Sequence, residues 1–320
     1  MEITRSWAEM SRSYSPEEMA GSRGQSLQTT GDLPTPHGHE QRRESGPGVG
    51  ADSQPRPDET PETPKTEARV VEPRKPYEYR SRTYKLRSSE IDVMTDIGKF
   101  RAVAAKDLEE FIYRGDRKHM EADLTNLRKQ RLISEREIPH EETSPRRLLA
   151  LTKEGRHLLI ATKTVPKRQA IYDGFTKPRE AHHDADLYRL YQRGRDRVNR
   201  QGGKNMRVIL DSELKKILYR DLARAGQAAD SGTAKSDIAE RHGLREVRGR
   251  IPVPDLRIEY ETPDQETARI DLELATEHYR FKNIAQKVRA GFSIYARAQD
   301  VPNLRRVLEQ REITAEILSL

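Results

Sequence analysis

Ile251-Pro252-Val253-Pro254-Asp255 and Ala268-Arg269-Ile270-Asp271-Leu272-Glu273-Leu274-Ala275-Thr276 are the stretches whose reading decides the fold. They predict two short strands, Ile251–Glu261 and Ala268–Thr276. A helix follows over about Phe281–Arg297, because Phe281, Ile284, Val288, Phe292 and Tyr295 recur at helical spacing. Strand alternation puts Asp271 and Glu273 on one face and Ile270, Leu272 and Leu274 on the other, with Asp255 on the neighbouring strand. Carboxylates on adjacent strands outline a site for a hard divalent cation such as Mg²⁺, which takes one or two carboxylates and fills its other positions with water or phosphate. Lys287 flanks the apolar stripe of the helix and is placed to point back toward the same acids.

Asp255 followed by Asp271-x-Glu273 on consecutive strands, with a helix after them, resembles the PD-(D/E)xK nuclease-like fold. The longer run Pro254-Asp255, Asp271-Leu-Glu273-Leu-Ala-Thr276-Glu277, Lys287 and Tyr295 is similar to the replication-relaxation family of plasmids and other bacterial mobile elements. In that family a winged helix precedes such a domain. The resemblance covers roughly Ser88 to Arg297. It implies a metal-dependent nuclease in which Asp255, Asp271 and Glu273 hold Mg²⁺ or Mn²⁺, while Lys287 orients water or offsets charge. Glu273 occupies the place of the family's lysine, and Lys287 on the next helix is the replacement. The resemblance also puts a histidine near the start of the domain, where His183 stands, and leaves Thr276 and Glu277 to hold the strand end.

Upstream of this domain the period changes to that of helices. Ser88 or Ser89 caps a helix carrying Ile91, Met94, Ile97 and Phe100, and a second follows over about Ala105–Tyr113. A third, about Arg117–Arg131, buries Met120, Leu124 and Leu127. At 100° per residue its other face shows Lys118, His119, Ala122, Thr125, Asn126 and Lys129. Strands starting at Leu132 and at Arg147 flank a polar loop, and a helix over Lys153–Ala161 closes the unit. Three helices and a hairpin in this order predict a winged helix-turn-helix. On such a fold Asn126 suits adenine, Lys118 and Lys129 suit guanine or phosphate, and Ala122 or Thr125 suits a thymine methyl; Arg146 and Arg147 beside the loop suit the DNA backbone or a minor groove.

Between these units, residues 164–179 read as a linker. Glu180–Arg197 is a helix with Leu187, Leu190 and Tyr191 on its stripe. Met206–Leu210 is a strand, Ser212–Arg224 and Asp237–His242 are helices, and Leu304–Leu318 carries a last helical pattern. Residues 74–87 alternate cations with tyrosines and read as a basic linker; phosphates would attract the cations. The segment 1–73 has no sustained periodicity and is rich in Ser, Pro, Gly, Thr and Glu, so a disordered arm is expected. A short helix near Pro16–Ala20 is its one local pattern.

The 320 residues, 35% charged and 33% hydrophobic, predict two small domains and additional irregular sequence rather than one large core. The formal net charge of +7 and a pI near 9.4 favour a polyanionic partner. Absence of cysteine excludes disulfides, thiolate metal sites and cysteine nucleophiles. No membrane span or secretory signal is read, and a cytoplasmic location is expected. The expected fold is therefore α+β or α/β and multidomain: arm 1–73, linker 74–87, winged helix 88–163, linker 164–179 and nuclease-like domain 180–320. The expected function is metal-dependent nicking or cleavage of double-stranded DNA in plasmid replication or transfer, alone, as a homodimer or with other replication or mobilisation proteins. The rival expectation is a non-catalytic DNA-binding regulator or mobilisation accessory factor built on the same folds.

Overall fold

The computed structural model describes residues 72–140, 143–175, 177–226, 231–275, 281–310 and 316–320. The expected arm up to residue 71, with its short helix, lies outside the described residues, as do Thr276 and Glu277.

Where a basic linker was expected, Lys75–Tyr79 (β1) and Arg82–Leu86 (β2) pair as an antiparallel hairpin. The alternation Tyr84, Leu86 supplies its inner face, and both are fully buried. The turn uses Arg80 and Ser81 with φ of 47° and 58°, the left-handed pair of a tight hairpin turn without the usual Asn-Gly signal. Gln130 pins the edge of β2: its Oε1 accepts from Lys85 N–H at 3.0 Å and its Nε2 donates to Lys85 O at 3.0 Å. Tyr84 donates to Glu154 Oε1 at 2.6 Å.

Helix α1 (Ser88–Phe100) begins one residue after Arg87, whose N–H donates to Glu90 Oε2 at 2.9 Å. The serines expected as caps are thus its first helical residues. Then come β3 (Val103–Ala104), α2 (Ala105–Phe111), α3 (Arg117–Lys129), β4 (Ile133–His140), β5 (Thr143–Leu151) and α4 (Lys153–Ala161). Asp116 caps α3 by accepting from His119 N–H at 3.0 Å, and Thr152 caps α4 by accepting from Gly155 N–H at 3.0 Å. The expected hairpin gains a third strand, giving the order β3-β5-β4.

Residues 164–175 form no regular element, yet 169–173 are packed against the rest of the chain. Ile171 is buried, Tyr172 N–H donates to Gly98 O at 2.7 Å and Gly174 N–H to Leu151 O at 2.9 Å. Gln169 exchanges two hydrogen bonds with the backbone of Val208, at 2.9 and 3.0 Å. It covers the outer edge of β6 (Lys204–Leu210), which would otherwise present unpaired backbone groups.

The second sheet has the order β10-β9-β8-β7-β6, where β7 is Leu256–Glu261, β8 Thr267–Ala275, β9 Ser293–Ala296 and β10 Ile317–Ser319. β6, β7 and β8 are antiparallel neighbours, while β9 and β10 continue parallel. Helix α5 (Pro178–Arg200) lies across one face. Gly194 permits the close approach: a Cβ there would stand 2.7 Å from both Ile258 Cδ1 and Leu272 Cδ1. The same helix packs Tyr188 and Tyr191 on Phe100, at ring separations of 5.4 and 5.2 Å. One apolar core therefore runs from Tyr84 through α5 to Leu274 and Tyr295. Each large side chain buried there contributes about 1.5–3 kcal/mol.

The other face is covered by α6 (Asp211–Gly226), α7 (Ser231–Arg241), α8 (Phe281–Arg289) and α9 (Val301–Glu309), around Leu218, Ile238, Ile284, Ile294 and Leu304. The helix expected to run to Arg297 stops at Arg289. Gly291, at φ 90°, turns the chain, and Phe292 N–H closes back on Lys287 O at 3.1 Å. Tyr295 consequently lies in β9, since a parallel partner for β8 needs a crossover helix followed by a new strand. The last expected helix likewise ends at Glu309, and β10 follows. The described chain is a mixed α and β fold, and no helix among its described residues is long and apolar enough to cross a membrane.

Candidate functional site

The register of β7 and β8 decides which acids meet. Leu256 pairs with Leu272 and Arg257 with Asp271, so Asp255, one step before β7, stands opposite Glu273. Two hydrogen bonds tie the two segments together here. Asp255 N–H donates to Glu273 Oε2 at 3.2 Å, and Leu274 N–H donates to Asp255 Oδ2 at 3.0 Å. Lys287 reaches over from α8, with Nζ 2.8 Å from Glu273 Oε2, 2.7 Å from Oε1 and 2.6 Å from Val253 O. Asp255, Glu273 and Lys287 thus form one constellation at the end of the sheet.

Asp271, expected beside Asp255, is turned to Arg257 instead. Arg257 Nε and Nη2 donate to its two oxygens at 2.6 and 2.9 Å, while Nη1 and Nη2 also hold the carbonyls of His242 and Gly243. A carboxylate already held by a bidentate, buried guanidinium does not fit a metal-ligand role. Alternation along the strand placed Asp271 on the correct face; only the register reveals the arginine opposite it. Arg257 could have been found from its position two residues after Asp255, on the same face.

Two neighbours complete the surroundings. His183, in the first turns of α5, has Nε2 3.8 Å from Asp255 Oδ2. Burial pushes Asp255 up, but the His183 and Lys287 charges and the Leu274 N–H outweigh it and hold the carboxyl below its usual range. Burial likewise works against the His183 charge, and Asp255 outweighs it, raising the imidazole. Asp211, at the start of α6, donates its N–H to Asp255 O at 3.1 Å and accepts from Lys215 Nζ at 2.7 Å. Among the described residues, no three His, Asp or Glu side chains converge as a metal-ligand group. Of the three expected metal ligands, Asp255 and Glu273 are brought opposite one another, but both Glu273 oxygens are held by Lys287, so the pair could take a hard cation only with Lys287 displaced.

In the first half of the chain, Lys118, Ala122, Thr125 and Lys129 share the exposed stripe of α3 with Arg117 and Arg128. Asn126 is turned inward. Its Nδ2 donates to Lys85 O at 3.1 Å and Glu90 Oε1 at 2.9 Å, so it ties α3 to the hairpin. His119 is half-buried, edge-on to Tyr113 and 3.3 Å from the fully buried Asp123. Arg147 joins Glu135 and Glu121. Arg146 bridges Asp186 of α5 at 2.7 Å and Asp107 of α2 at 3.3 Å. Four of the seven residues expected to read DNA therefore hold the fold together in this state: His119, Asn126, Arg146 and Arg147. Lys118, Thr125 and Lys129 are exposed.

No protein-family model matches the chain, and no curated protein matches it either.

Proposed function

We propose that the chain is a DNA-binding protein of the replication-relaxation type, in which α1 to α4 with β3 to β5 act as a winged helix and residues 178–320 as a PD-(D/E)xK nuclease-like domain. Duplex DNA is its substrate, and nicking or cleavage in plasmid replication or transfer is its reaction. The observation that carries this reading is the clustering of Asp255, Glu273 and Lys287 where β7 begins: Lys287 Nζ pairs with the Glu273 carboxylate, which also accepts from Asp255 N–H. In this assignment Asp255 and Glu273 would hold Mg²⁺ or Mn²⁺, and Lys287, which pairs with Glu273, would move to offset the charge that develops on phosphate. The bound ion would polarise the phosphate and lower the pKa of a water. Asp271 has a structural role with Arg257. The exposed stripe of α3, with Lys118, Thr125 and Lys129, is the surface that meets the major groove.

A second reading has one observation in its favour. Lys287 contacts both oxygens of Glu273, and that closed ion pair suits a domain kept for binding alone. Incubation of supercoiled plasmid with purified protein and Mg²⁺ or Mn²⁺ separates the two. Metal-dependent nicking that Asp255→Ala and Glu273→Ala abolish, with DNA binding retained and Asp271→Asn still active, supports the nuclease. Tight binding without cleavage on DNA containing the element's own origin selects the binding-only protein.

A further inference from the structure

Helix α5 presents one face to two clefts. At 100° per residue, Asp186, Arg189, Arg193, Arg197 and Arg200 fall within a sector of about 80°. The first part of this face lines a cleft of ≈ 1250 Å³ that also reaches Arg117 of α3 and Arg147 of β5. There the charges are paired: Asp186 with Arg146 and Arg297, Arg189 with Asp107. The second part opens on a cleft of ≈ 480 Å³ between α5 and the edge strand β10, lined by Arg193, Arg197, Arg200, Tyr295, Glu316 and Ser319.

In this second cleft the arginines are exposed, and among the described residues none of the three lies within 4.0 Å of a carboxylate. Arg197 Nη1 donates to Ser293 Oγ at 3.3 Å and Arg200 Nε to Asp196 O at 3.3 Å, both neutral acceptors. Helix α6 supplies a contrast within the same molecule. Lys216, Arg220 and Arg224 also follow one another at single-turn spacing, but Asp221 lies 3.3 Å from Arg220 and 4.0 Å from Arg224.

We propose that Arg193, Arg197 and Arg200 form a rail that binds successive phosphates of a DNA duplex. The proposal rests on the DNA-binding reading above and adds a second contact surface to it. Seven residues of helix span about 10 Å, the axial length of about three nucleotides on one strand. Guanidinium groups in a concave cleft bind phosphate oxygens in pairs, and the three arginines outnumber the one acid in the lining, Glu316.

The test is fluorescence anisotropy of a labelled duplex over a range of salt, with the full chain. The alanine triple Arg193→Ala/Arg197→Ala/Arg200→Ala is expected to bind at least about tenfold more weakly at low salt. Its log–log salt slope is expected to be shallower by about 2 to 3, since each phosphate contact contributes about 0.9. The triple lysine variant, which keeps the charge, is expected to hold the slope, as is Lys216→Ala/Arg220→Ala/Arg224→Ala. An alanine triple that is folded by circular dichroism and keeps the wild-type slope overturns the rail, and so does an equal loss in the α6 control. Wild-type protein that binds no DNA overturns the DNA-binding reading and the rail together.

Discussion

Arg257 holds Asp271 through two parallel hydrogen bonds directly across the β7–β8 ladder, and the guanidinium is only 3% exposed. Removing one partner of such a pair leaves a charge buried alone, which costs about 3–5 kcal/mol. Arg257→Ala also strands the carbonyls of His242 and Gly243. Its unfolding free energy, read from urea melts, is expected to fall by that amount. The double variant Arg257→Leu/Asp271→Leu is expected to recover part of the loss, because it removes both charges while leaving the two carbonyls without their donor. An Arg257→Ala protein as stable as wild type would sink this account.

The His183–Asp255 pair sets a pH window. Asp255 is depressed, so its contribution is present above its unfolded value of about 3.9 and is lost as pH falls through the lower folded value. His183 is raised, so its contribution is complete below about 6.5 and is lost as pH rises through the higher folded value. The stability difference between wild type and His183→Gln is therefore expected to be largest between about pH 4 and 6.5 and to shrink on either side. Urea melts across pH read it directly; a difference that grows on the alkaline side would be incompatible with the pairing.

The β1–β2 turn stores a local cost. Arg80 and Ser81 both sit at positive φ, a conformation that costs a residue with a Cβ roughly 1–2 kcal/mol. Arg80→Asn/Ser81→Gly supplies the residues this turn type prefers. Thermal melting is expected to shift up by about 2–4 °C per kcal/mol recovered in a chain of this size. No shift, or a lower midpoint, would show that the arginine and serine side chains hold the turn.

Much of the fold was legible as period. Ile91, Met94, Ile97 and Phe100, and Met120, Leu124 and Leu127, repeat every three to four residues, and all are buried as that pattern requires. Leu272 and Leu274 alternate with Asp271 and Glu273 and take the opposite face. What period cannot supply is the lateral neighbour. Asp271 and Glu273 are equivalent by alternation, and only pairing with β7 gives one to Arg257 and the other to Asp255. Phe292 and Tyr295 fit the helical spacing of α8 although they lie beyond it; Gly291 was the signal to stop. The β1–β2 hairpin stayed hidden because its turn has neither glycine nor asparagine. Asn126 looked exposed because a helical wheel of α3 does not show that the hairpin covers its side.

Helix α5 gives Leu187, Tyr188, Leu190 and Tyr191 to a core that begins at Tyr84 and ends at Tyr295. A chain divided between residues 164 and 179 would leave Phe100 without its aromatic partners on one fragment and bare the tyrosine face of α5 on the other. Folding is then expected to be a single cooperative event spanning both sheets, since the two share one buried cluster. The helix that carries His183 to Asp255 is thus also the keystone on which the surface presented by α3 depends for its rigidity.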